Sequence, residues 1–144
     1  MTTQSALSLK AAYPALAAAV DQSAEVIEIE LADRTLKYGL LAQYSSSVLA
    51  RTVARECVSM IQLSLITGDL TTFQNFLKWE VEAVLHNNNF HKAQYDQAFI
   101  SLAQTIMLEY LDPSLTEDIK SFSEQLRVMF DQIWKDAELQ WHGK

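Results

Sequence analysis

One cysteine, two prolines and three glycines are all that this 144-residue chain holds of those types. Each scarcity excludes something. A single cysteine, Cys57, forbids an intramolecular disulfide and any zinc site built from several thiolates. So few turn-formers do not suit an all-β sandwich or barrel, or a glycine-rich phosphate loop. No apolar run approaches the roughly 20 residues that span a bilayer. The stretch from Ala11 to Val20 is too alanine-rich, and too interrupted by Pro14, for a signal peptide. Positive charge is short as well: 11 Lys and Arg against 18 Asp and Glu leave −7 at pH 7. An acidic chain repels phosphate backbones, and no basic stripe of the kind that binds nucleic acid is present. Arg51 and Arg55, one helical turn apart beside Glu56, come nearest and read as a solvated helix face, with a small anion site as the sharper reading. A chain that engages neither nucleic acid nor membrane is expected, and a buried thiol without disulfides places it in the cytoplasm.

What is present has a helical period. Hydrophobic residues make up 49% and charged ones 20%, so the chain has the material for a core and is expected to fold as one domain, 1–144. A first helix is predicted over about 5–20, kinked or restarted by Pro14. Ile27, Ile29 and Leu31 alternate with Glu28 and Glu30 as in a strand, but no second strand comes after them, so the segment reads as a short helix. From Leu36 to Thr67, the residues Leu41, Tyr44, Val48, Leu49, Val53, Cys57, Met60, Ile61 and Ser64 share a helical face. Gly39 and the serines 45–47 are where that pattern divides into two. Gly68 supplies a left-handed stop, and Asp69 can accept from the next helix. That helix, about 70–86, turns Phe73, Phe76, Leu77, Val81, Val84 and Leu85 inward, and Asn87–Asn89 end it with a turn.

A further helix over 90–111 carries Tyr95, Phe99, Leu102, Ile106 and Tyr110, widened by Ile100, Ala103 and Met107, as a central helix should. Asp112-Pro113 breaks the chain, and Ser114 to Glu117 has the spacing of a capping box. Leu115, Ile119, Phe122, Leu126, Met129, Ile133 and Ala137 then form a heptad-like seam. Phe76, Val81, Phe99, Leu102, Ile106, Leu126 and Met129 are the predicted core.

Chemistry-bearing motifs are sparse. His86 and His91 straddle a turn rather than share a helix face, so no metal site is expected. No nucleophile elbow occurs, and Glu80 and Glu82 read as solvated surface; no catalytic residue is assigned, and the chain is expected not to be an enzyme.

The helix order, ending in two long helices joined by Asp-Pro, resembles the globin fold. Within it, Ile66-Thr67-Gly68-Asp69-Leu70-Thr71-Thr72-Phe73-Gln74-Asn75-Phe76-Leu77 looks like the haem-free globin-like sensor domains of bacterial stressosome regulators. The resemblance runs from about Leu41 to Trp141. It implies an all-α, globin-like domain of about five to seven helices, sensory or regulatory, signalling through an unidentified protein partner. It also implies an apolar ligand pocket around Cys57, Met60 and Phe99. The alternatives are a haem-binding globin with His86 as proximal ligand and a ligand-free helical adaptor. The plainer reading of His86 is a cation closing a helix C-terminus. A covalent bilin, as in phycobiliproteins, is not expected, because the sequence after Cys57 departs from that pattern. Phe130, Trp134 and Trp141 lie beside the final seam, which predicts a homodimer through them. The rival reading is that the N-terminal helix folds back and covers these aromatics within one chain.

Overall fold

The computed structural model describes residues 7–38, 47–85 and 100–142. These form α1 (Pro14–Tyr38), α2 (Ser47–Thr67), α3 (Thr71–Trp79) running into a π-helical turn (Glu80–Leu85), α4 (Leu102–Tyr110), a 3₁₀ turn (Pro113–Leu115) and α5 (Thr116–His142). Among the described residues the architecture is all-α, and the one β-type pairing is an isolated antiparallel bridge between Ser8 and Asp69.

Pro14 decides where the first helix begins. At the first helical position its missing N–H is no loss and its fixed φ already suits the helix. The helix predicted from residue 5 therefore starts at Pro14, and residues 7–13 run as a non-helical strap. The stretch with strand-like alternation lies inside α1. Ile27 and Leu31, four apart, are buried and Ile29 is half-buried, so the helical reading holds. The long 36–67 pattern is divided: α1 ends at Tyr38 and α2 begins at Ser47, while Gly39 lies outside the described residues.

α2 buries Ala50, Ala54, Cys57, Val58, Ile61 and Leu65 and packs along α1. It ends at Gly68, whose φ of 71° is the left-handed stop read from the sequence. Asp69 Oδ1 accepts the Thr71 N–H at 2.7 Å, as expected. α3 buries Phe73 and Leu77, but Phe76 is half-buried rather than core, edge-on to Phe73 at 6.3 Å. Glu80 corrects the solvated reading, being 2% exposed at the start of the π-helical turn; Glu82 is exposed.

α4 buries Leu102, Ala103, Ile106 and Met107, with Ile100 just before it, as a central helix should. Tyr110 is the exception: it stands exposed and donates its hydroxyl to Glu30 Oε1 of α1 at 3.0 Å. Asp112, not Ser114, caps the 3₁₀ turn. Its Oδ1 accepts the Ser114 N–H at 2.8 Å and Pro113 opens the turn, so no Ser114–Glu117 box is present. All seven seam residues, Leu115 in the 3₁₀ turn and the other six on α5, are buried.

Phe130 and Trp134, predicted to meet a symmetry mate, are 1% and 7% exposed within a single chain. Their rings meet at a tilt of 52° with centroids 6.0 Å apart, and Trp134 Nε1 donates to Glu138 Oε1 at 2.7 Å. Two of the three aromatics on which the homodimer expectation rested are therefore covered by the chain itself. The side chain of Trp141 lies outside the described residues. On α5 the apolar residues left in solvent are Val128 and Leu139.

Candidate functional site

The strap comes from the N-terminus and is tied down at three places. Leu9 N–H donates to Gly68 O and Leu70 N–H donates to Leu7 O, each at 2.8 Å, which makes the bridge to the α2–α3 turn. Lys10 N–H donates to Gln125 Oε1 of α5 at 3.0 Å. The Tyr13 hydroxyl lies 2.7 Å from Ser121 Oγ and accepts from Gln125 Nε2 at 2.9 Å, while its ring meets Phe122 edge-on at 6.4 Å. Gln125 thus spends its carbonyl and its amide group on holding the strap.

Between the strap, the start of α3 and one side of α5 lies a groove of about 610 Å³. Its apolar lining is Leu7, Leu70, Val128 and Met129, and its polar lining includes Ser8, Gln74 and Gln132. Lys10 and Glu124 also line it, so its formal charges cancel. The volume falls within the roughly 300–1,000 Å³ of typical ligand clefts. Val128 is 62% exposed there, an open apolar contact rather than a core residue. Among the described residues, the Gln74 amide makes no side-chain hydrogen bond, and Gln132 uses its Nε2 on Asp136 at 2.9 Å, leaving its carbonyl open.

The residues singled out from sequence are not brought together at this groove. Cys57 is fully buried on α2, and Met60 is partly buried against the core. Burial, helped by the nearby Glu80 carboxylate, pushes the Cys57 thiol up to about 12; that is an inert thiol, and it does not line this groove. Phe99 and His86, the residue on which haem ligation depended, both lie outside the described residues.

Charged side chains elsewhere bind helix to helix. Glu28 of α1 faces Arg55 at 3.2 Å and Arg51 at 3.7 Å, so the pair read as a solvated face or small anion site is engaged by a carboxylate. Arg34 holds Glu30 at 3.0 Å and Glu109 of α4 at 2.6 Å, which raises its own pKa and lowers that of Glu109. Among the described residues no group of three His, Cys, Asp or Glu side chains could hold a metal ion, and no helix is long and apolar enough to cross a membrane.

The chain matches no protein-family model, no curated protein and no solved structure. The functional reading rests on the groove.

Proposed function

We propose that this protein is a non-enzymatic regulatory binding domain that takes an amphipathic ligand in the groove between the strap and α5. The globin-like arrangement belongs to the same reading, with α4 and α5 standing for the last two globin helices. The observation that carries it is the exposed Val128 beside Met129 and Leu70, flanked by the Gln74 amide and the open Gln132 carbonyl. Apolar surface and a few placed polar groups are what a recognition cleft needs. Among the described residues nothing buries Val128, whereas a bound partner would.

The test is a thermal-shift screen of small amide-bearing apolar fragments against the wild type and Val128→Glu. Fragments should raise the melting temperature of the wild type by about 2 °C or more at saturation and leave the variant unmoved, since bound ligand stabilises by mass action. Equal shifts in both proteins, or none in the wild type, would overturn the groove as the binding site.

A further inference from the structure

We infer that the ligand of this groove is a free amino acid with an apolar side chain, held by its two charges at Lys10 and Glu124 and by its side chain on Val128. This rests on the groove being the binding site. Lys10 and Glu124 line the groove together, and both are exposed. Among the described residues, neither side chain forms an ion pair or a hydrogen bond, with the other or with any third group. They share one end of the groove, since the Lys10 N–H is bonded to Gln125, the residue after Glu124. A cation and an anion at one end, unpaired with each other, are complementary to a ligand that carries both signs a few atoms apart.

The spacing along α5 sets the rest of the ligand. Glu124 to Val128 is one helical turn, or about 6 Å at 1.5 Å per residue. An α-amino acid bears its ammonium and carboxylate on one carbon, and a side chain the length of leucine, methionine or phenylalanine covers that distance. Met129 and Leu70 extend the apolar lining there. A side chain the size of alanine would stop short of it.

The two groove charges reject simpler amphiphiles. A fatty acid would set its carboxylate near Glu124, and an apolar amine would set its ammonium near Lys10. Each meets a like charge and pairs with one groove charge only. A neutral fragment takes the apolar lining and pairs with neither. A zwitterion pairs with both. Pairs as exposed as these are individually weak, so affinity in the millimolar range is expected.

The test is titration of the intact protein with phenylalanine, N-acetylphenylalanine, which lacks the ammonium, and phenylalaninamide, which lacks the carboxylate. Binding is followed by NMR at the Val128 methyl groups. Phenylalanine should bind about threefold or more tighter than either blocked compound, the effect of one exposed ion pair, and glycine should not bind. Glu124→Gln should weaken phenylalanine while leaving N-acetylphenylalanine unchanged or improved. Lys10→Gln should weaken phenylalanine while leaving phenylalaninamide unchanged or improved. Both substitutions change exposed side chains and should leave the fold intact. Equal binding of the three compounds, indifference of phenylalanine to both variants, or no binding of phenylalanine up to its solubility would each overturn the amino-acid reading. Fragment stabilisation that still depends on Val128 would then leave the groove standing as a site for another kind of ligand. Loss of both would remove the groove itself.

Discussion

At the scale of single residues, burial decides chemistry before any neighbour does. Cys57 sits in the core beside Glu80, and its thiol is pushed from 9.0 up to about 12, first by burial and then by that carboxylate. A thiol whose folded pKa lies above its unfolded one stabilises the native state only while protonated. That contribution is complete below about pH 9 and is lost as pH climbs toward about 12. Cys57→Ala should melt with a shallower decline across that window than the wild type. The native protein should also resist an aromatic disulfide reagent at pH 8 and react fully in denaturant; rapid reaction of the native form would show the thiol to be reachable. Glu80 was legible and misread. It lies seven residues after Phe73 and three after Leu77, both buried, which is the spacing of an inward stripe. Its acidic identity outweighed its position.

At the scale of elements, α5 shows which part of a sequence speaks plainly. Its seam and the aromatics Phe130 and Trp134 beside it are all buried, so truncation should separate them from the outward residue in their midst. Leu126→Ala should cost about 2–5 kcal/mol by denaturant unfolding and Phe130→Ala about 3–5. Val128→Ala should stay within about 0.5 kcal/mol. A costless Phe130→Ala would mean the ring is not core. Period and Gly68 gave the helices; caps and starts were harder. Ser114 and Glu117 had the spacing of a box, yet Asp112, one residue before Pro113, had the geometry to reach the Ser114 N–H. That bond holds the Asp112 carboxyl below its ordinary pKa. The stabilisation is present above the ordinary carboxylate range, near about pH 4, and is lost as pH falls through it. Asp112→Ala should lower the melting temperature at pH 7, and by less in acid. Ser114→Ala should not lower it.

At the scale of the whole molecule, the strap adds a direct tie between α5 and the N-terminal end of α1, which otherwise meet through α4. α1 packs mainly on α2 and α4, whereas α5 packs on α3, α4 and the turns beside them. Residues 7–13 link the N-terminus to the α2–α3 turn and to α5, bonding to side chains more than a hundred positions away. Read as helix from residue 5, this stretch concealed the groove. A wall made of a non-helical segment has no period to announce it when only three residues make the bridge. Pro14 was the available signal, since a proline that opens a helix leaves the residues before it outside. Tyr13 is the strap's anchor at the α1 end, and its two functions can be separated. Tyr13→Phe keeps the ring against Phe122 but removes the hydroxyl from Ser121 and Gln125. The expected global loss is about 1 kcal/mol, the size of a typical net hydrogen bond. The local loss should be greater, because Gln125 also holds the Lys10 N–H. Amide exchange at Leu9, Lys10 and Leu70 should therefore quicken in Tyr13→Phe well beyond what the change in global stability allows, while Leu126 and Met129 track global stability alone. Were all five amides to change together, the strap would be part of the core's single cooperative unit rather than a separately latched wall, and the groove would open only when the protein unfolds.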